Sequence, residues 1–209
     1  MNKELIKRIL SSIVLIPLAL FFIIKGSILF IFFISVSFLI ITYEWHMMSK
    51  KNSYYLFGII FLILSFLSIY FLRIESNDYL LTLFVATVCV STDIGGYVFG
   101  KIFKGPKLTK FSPNKTYAGM FGGYFLSLIS ITTIPFFKFD VMQFDNFLLV
   151  IGISSISQIG DIIISYFKRL SKIKDTGKII PGHGGLLDRV DGMIFAFPFS
   201  FIIFYLGFF

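Results

Sequence analysis

Residues 9–43 read ILSSIVLIPLALFFIIKGSILFIFFISVSFLIITY, and their pattern decides the fold class. Two apolar runs, Ile9–Ile24 and Ile28–Tyr43, are separated only by Lys25-Gly26-Ser27. A bilayer-crossing helix needs roughly 20 apolar residues, and about 17 at the least. Each run is therefore a short span, and the two together read as a tight helical hairpin. Lys3, Lys7 and Arg8 precede the first run as they would in a secretory leader. However, Phe21-Phe22-Ile23-Ile24-Lys25 lacks the small residues of a cleavage site. The first run is expected to stay as an uncleaved span.

Outward from this hairpin the pattern repeats. Further apolar runs cover Tyr55–Leu72, Tyr79–Phe99, Gly119–Phe137, Phe147–Phe167 and Met193–Phe209. The fourth run overall is interrupted by Ser91-Thr92-Asp93-Ile94-Gly95-Gly96, so its apolar signal alone stops near Val90. The composition agrees: 56% of the 209 residues are hydrophobic and 14% are charged, with a mean hydropathy of +0.89. A water-soluble domain of this length would carry far more polar surface. The expected architecture is all-α, a polytopic transmembrane helix bundle of about seven spans forming one domain over 1–209. Residues 1–78 would be its N-terminal spans, and 79–209 would carry the chemistry. Cys89 is the single cysteine, which excludes an intrachain disulfide and argues against a thiolate metal site.

The net charge of +8 would suggest nucleic acid in a soluble protein. In a polytopic membrane chain it has a simpler origin, because Lys and Arg accumulate in cytoplasmic loops. With the N-terminus inside, the tail, the loop at Lys50-Lys51, Gly100–Ala118 and Lys168–Gly192 hold sixteen Lys and Arg. The opposite side holds three: Lys25, Arg73 and Lys138. Over short loops that asymmetry predicts a cytoplasmic N-terminus and a C-terminus on the other side.

Two polar segments break the membrane pattern, and both fall on the cytoplasmic side. The first contains Asp93-Ile94-Gly95-Gly96-Tyr97, Gly100-Lys101 and Ser112-Pro113-Asn114-Lys115-Thr116. The second runs from Gly160-Asp161 through Ser165, Lys168-Arg169 and Lys174-Asp175 to Gly182-His183-Gly184-Gly185 and Asp188-Arg189-x-Asp191. Asp161 lies about six residues, or roughly 9 Å, inside its span. A carboxylate there needs a cation, a metal or water. Ser165 and Lys168 follow at i+4 and i+7, on the same helix face. Asp93 sits at a similar depth in the fourth run. Helix capping or a bundle lysine is the plain alternative for each acid.

Asp188 and Asp191, at i and i+3 where the last helix is expected to begin, can face one site. Such a pair suits Mg²⁺, which takes oxygen ligands and shares its shell with phosphates and water; the helix dipole is the competing explanation. Gly182, Gly184 and Gly185 permit close backbone approach, so their N–H groups could hold an anion. His183 has no His or Cys companions, which leaves phosphate binding, proton donation or a turn cap. Lys168, Arg169, Lys174 and Arg189 are candidate phosphate partners, and Lys115 after Ser112-Pro113 is the favoured cation of the first segment. Gly177-Lys178-Ile179 lacks the Walker A spacing, and nothing supports a nucleophile elbow.

The later residues resemble a known family. Ser165-x-x-Lys168-Arg169-x-x-x-x-Lys174-Asp175, followed by His183-Gly184-Gly185-x-x-Asp188-Arg189-x-Asp191, is similar to the signature of phosphatidate cytidylyltransferases, also called CDP-diacylglycerol synthases. Asp93 through Tyr97, Gly100 and Ser112 through Thr116 resemble a second region of that family. Ala118 stands where family members usually carry Glu. The resemblance implies a metal-dependent nucleotidyltransferase of phospholipid biosynthesis in the bacterial inner membrane. It would join CTP to phosphatidic acid, its site opening to the cytoplasm and to the lipid headgroups. It further implies Mg²⁺, one ion or two, and a homodimer. On this basis Asp161, Asp188, Asp191, Asp93 and Asp175 are expected to ligate metal. Lys168, Arg169, Lys174, His183 and Arg189 are expected to act on the phosphates. Ser165, Lys115, Ser112, Gly184 and Gly185 are expected to bind substrate. Two other classes fit parts of the pattern: a CTP-dependent polyprenol or phytol kinase, and, more distantly, a cation-coupled transporter.

Overall fold

The computed structural model describes residues 3–75, 79–110, 112, 114–133, 143–180, 182 and 184–207. In chain order its helices are α1 (Lys3–Lys25), α2 (Ser27–Ser49), α3 (Tyr55–Glu75), α4 (Tyr79–Phe103), α5 (Tyr117–Thr133), α6 (Phe144–Leu170), α7 (Leu187–Val190) and α8 (Met193–Tyr205). Among the described residues there is no strand, and the extended pairing is limited to isolated bridges, Lys107–Thr116 and Ile180–Gly184. The described parts of all seven apolar runs are helical, except that the seventh ends in a turn at Leu206-Gly207. Residues 134–137 of the fifth run and 208–209 of the seventh lie outside the described residues.

Among the described residues, four segments are long and apolar enough to cross a bilayer: Ser27–Ser49, Tyr55–Ile74, Tyr79–Phe103 and Phe144–Leu170. Ile13–Lys25, Tyr117–Thr132 and Met193–Tyr205 are apolar but shorter. Ile28, Phe57, Phe121 and Ile202 stand exposed on these helices. Apolar faces of this extent are unfavourable in water and are solvated by acyl chains.

The chain forms two compact units, one of residues 1–79 with 168–190 and the other of residues 80–167 with 191–209. In the first, α1 turns into α2 at Gly26, whose φ of 62° needs glycine. Arg73 Nε donates to Ile23 O at 3.1 Å, giving one of the orphan carbonyls at the end of α1 a partner. Trp45 is buried, fills the space where Gly58 has no side chain, and donates its Nε1–H to Tyr55 O at 3.1 Å. The loop after α2 is tied to the end of α6 by the 2.7 Å hydrogen bond between the Tyr54 and Ser171 hydroxyls.

In the second unit α4 does not break where its apolar pattern does. It runs through Ser91–Gly96 without interruption. Thr92 Oγ1 donates back to Val88 O at 2.8 Å and meets Ser154 Oγ of α6 at 2.7 Å, so its hydroxyl is satisfied inside the bundle. Gly95 touches the backbone of Gly122 in α5, leaving no room for a Cβ. The polar and glycine residues thus serve close helix packing, as in other membrane bundles. The Tyr124 hydroxyl bonds Ser155 of α6 at 2.9 Å, and Gly160 of α6 accommodates the ring of Phe195 from α8.

Candidate active site

Asp161 lies on α6, and Lys115 reaches it from the loop before α5, with Nζ 2.5 Å from Oδ2. That ammonium is buried and makes an ion pair without the alignment of a hydrogen bond. Lys115 is held by its own loop: its N–H donates to Ser112 O at 3.0 Å, and its carbonyl accepts from Leu108 N at 2.8 Å. Thr116 Oγ1 then accepts Gly119 N at 3.1 Å, capping the first turn of α5. Ser165, one turn along α6, places its hydroxyl 3.4 Å from Asp161 Oδ1. Lys115, Asp161 and Ser165, singled out from sequence, therefore converge. Side-chain exposures of 21% and 28% leave both residues half-buried, with the Lys115 Nζ itself shielded.

The second cluster belongs to the other unit. Lys168 Nζ donates to Asp188 Oδ1 at 3.0 Å, with side chains only 11% and 5% exposed. Asp188 Oδ2 accepts two backbone donors, Thr176 N at 2.8 Å and Gly185 N at 3.0 Å. The loop is shaped for this. Gly182 and Gly184 have φ of 77° and 89°, and a Cβ on Gly184 would stand 2.9 Å from Asp188 Oδ2 and 3.3 Å from Asp175 Cβ. Asp175 and Asp188 thus flank Gly184. The N–H groups of Gly185, Leu186 and Leu187 all bond to carboxylates, so they face protein oxygens rather than an open anion cradle.

The carboxylate that meets Leu186 and Leu187 was not among the sequence candidates. It is Glu44 of α2, 2% exposed, and it also accepts the Thr176 hydroxyl at 3.2 Å. Its sequence signal is an acid directly after an apolar run ending at Tyr43, which reads as the end of a span.

The remaining candidates differ in exposure. Arg169 is exposed, with Nη1 donating to Ile173 O at 3.1 Å, and Lys174, Asp175 and Arg189 are exposed. Asp93 is exposed on α4, and Ser112 is half-buried. Asp191 is buried, and its Oδ1 accepts Gly192 N at 3.0 Å. Asp188 and Asp191 do not share the start of one helix. Asp188 sits in the four-residue α7, and a turn at 191–192 precedes α8. Gly192 packs against Ser157 where a side chain would collide, which fixes that turn. His183 lies outside the described residues.

Each of Asp161 and Asp188, by itself, has oxygen lone pairs of the kind a hard divalent cation needs. An ionised carboxylate has about four lone-pair sites. Asp188 uses both of those on Oδ2 and one on Oδ1, and Asp161 is the more open of the two. Among the described residues no group of three or more His, Cys, Asp or Glu converges.

Lysines fixed beside carboxylates suit chemistry on phosphates. Residues 51–207 match the Cytidylyltransferase family. This chain belongs to the cytidylyltransferase family. It is similar to the phosphatidate cytidylyltransferase of Rickettsia felis, 36% identical over 205 residues covering 94% of this chain and 90% of that protein. A protein of the same name from Rickettsia bellii is 36% identical over 212 residues, covering 97% and 91%. One from Staphylococcus saprophyticus is 35% identical over 173 residues, covering 79% and 65%. Both lysine–carboxylate clusters of this cytidylyltransferase fall inside the matched segment. Glu44 lies upstream of it.

Proposed function

We propose that this chain transfers the cytidylyl group of CTP to phosphatidate, giving CDP-diacylglycerol and pyrophosphate. The observation that carries the proposal is the pairing of two lysines with two carboxylates, Lys115 with Asp161 and Lys168 with Asp188, in a chain whose relatives are named for this reaction. A phosphate oxygen of the lipid forms a bond to the α-phosphorus of CTP. The bond from that phosphorus to the oxygen bridging the β-phosphate breaks, and the electron pair leaves with pyrophosphate. The nucleophile is already an anion, so no side chain must remove a proton. The obstacle is repulsion between anions, which fixed positive charge lowers most in the transition state.

Lys168 and Lys115 supply that charge at the two acids, and Arg169, Lys174 and Arg189 supply it on exposed loop surface. Ser165 and Ser112 orient phosphate oxygens, while Gly184 and Gly185 keep the loop close around Asp188. Each within its own unit, Asp161 and Asp188 would have a lone pair to offer Mg²⁺, with Asp175, Asp191 and Asp93 as further oxygen donors; Mg²⁺, where bound, withdraws charge from phosphate oxygens. His183 belongs to the same proposal as a phosphate or proton partner. The proposal also includes seven spans, a cytoplasmic N-terminus, residence in the bacterial inner membrane, a cytoplasm-facing site and a homodimer. The sixteen-to-three distribution of Lys and Arg supports the orientation.

The test is purified protein with labelled CTP, phosphatidic acid and Mg²⁺. Equal amounts of liponucleotide and pyrophosphate are expected. CDP with a newly phosphorylated lipid would mean a kinase, and cation movement without nucleotide turnover would mean a transporter. Chelation of the metal and, separately, Asp188→Ala in folded protein should each abolish product. Near-normal activity of Asp188→Ala would remove that residue from the site.

A further inference from the structure

Glu44 has no part in the reaction proposed above, yet it is a fully desolvated acid with three partners. Leu186 N donates to Oε1 at 2.9 Å, while Leu187 N at 2.8 Å and Thr176 Oγ1 at 3.2 Å donate to Oε2. The same short loop gives Thr176 N and Gly185 N to Asp188 Oδ2, leaving Oδ1 for Lys168. The loop is strung between two carboxylates, one from α2 and one from α7. A Cβ on Gly177 or Gly185 would come within 2.7 Å of the Glu44 oxygens, so both glycines make room for the acid. Burying a carboxylate is a poor way to gain stability, since its desolvation offsets the bonds it makes. Its hydrogen bonds do fix where the loop lies.

We propose that Glu44 is a positioning residue for nucleotidyl transfer, setting the loop of 176–187 so that Asp188 and Lys168 meet the phosphates in one geometry. The proposal rests on the assignment of Asp188 and Lys168 to the reaction. Glutamine cannot replace Glu44. In either amide orientation its NH₂ faces a backbone N–H, of Leu186 or of Leu187, and only the Thr176 hydroxyl can turn to accept.

The experiment compares Glu44→Gln, Glu44→Ala, Glu44→Asp and Thr176→Val with Asp188→Ala, all as full-length protein in detergent. The readouts are kcat, KM for CTP, and hydrogen exchange of the Leu186 and Leu187 amides. Glu44→Gln is expected to lower kcat about tenfold to a hundredfold with KM for CTP nearly unchanged. Both amides should lose protection in Glu44→Ala, and Glu44→Asp should recover part of the kcat that Glu44→Ala loses. A wild-type kcat in Glu44→Gln, with Asp188→Ala inactive, overturns the positioning role alone. Full activity in Asp188→Ala overturns the site assignment itself, and this inference with it. Should Glu44→Gln fail to fold, Thr176→Val decides: it removes one bond and is expected to lower kcat about threefold, and an unchanged kcat overturns the proposal.

Discussion

Lys168 and Asp188 form the more deeply buried of the two ion pairs, which separates charge from geometry by mutation. Lys168→Ala leaves Asp188 Oδ1 without its cation while Oδ2 keeps both backbone donors. Removing one partner of a buried pair costs about 3 kcal/mol, so thermal unfolding in detergent should show a clear loss. Turnover should fall at least about a hundredfold, because the lost charge acts in the transition state. Lys168→Arg should regain most of the stability and little of the turnover, since a planar guanidinium cannot replace a compact ammonium at one oxygen. A full rate in Lys168→Arg would mean that position 168 needs charge alone. The Asp161, Ser165, Lys168 spacing could be read from sequence because helical register is a local property. Glu44 could not, because its partners lie 132 to 143 residues away and two of them are backbone groups.

At the scale of helices, α4 and α5 depend on glycine for their approach. Gly95 lies against the Gly122 carbonyl, whereas a Cβ on Gly96 would meet its nearest atom, Gly119 O, at 3.8 Å, an ordinary contact. Two neighbouring glycines therefore respond oppositely to alanine. Gly95→Ala must push the helices apart and should destabilise by about 1–3 kcal/mol. Gly96→Ala, at a half-buried position, gains helix propensity worth up to about 1 kcal/mol and should be neutral or stabilising. Melting temperatures of the two variants in one detergent check this, and equal losses would contradict the packing argument. The sequence marks this stretch as a break in an apolar run, because hydropathy registers polarity but not the helix that packs against it. The same limit hides the turn between α7 and α8, which Gly192 owes to Ser157 of α6.

For the molecule as a whole, helix length set against bilayer thickness governs which segments cross. Among the described residues four helices combine the length with the apolar composition, while α8 has 13 residues and contains Pro198. At 1.5 Å per residue that is about 20 Å, short of a hydrocarbon core of about 30 Å. A short final span is tolerable where the bilayer thins locally or flanking residues extend it, and the charge asymmetry requires an odd number of crossings if the C-terminus is to lie outside. Cys89 is the single cysteine and is buried, so a Cys89→Ala background makes single-cysteine labelling clean. Lys25, Lys51, Lys104 and Leu206 are exposed and can each be changed to cysteine. With a membrane-impermeant maleimide on intact cells, Lys25→Cys and Leu206→Cys should label at once, and Lys51→Cys and Lys104→Cys only after permeabilisation. Leu206→Cys protected alongside Lys51→Cys would show that α8 does not cross. Protection of Lys25→Cys with labelling of Lys51→Cys would reverse the orientation and put the Lys115 and Lys168 segments on the side without CTP.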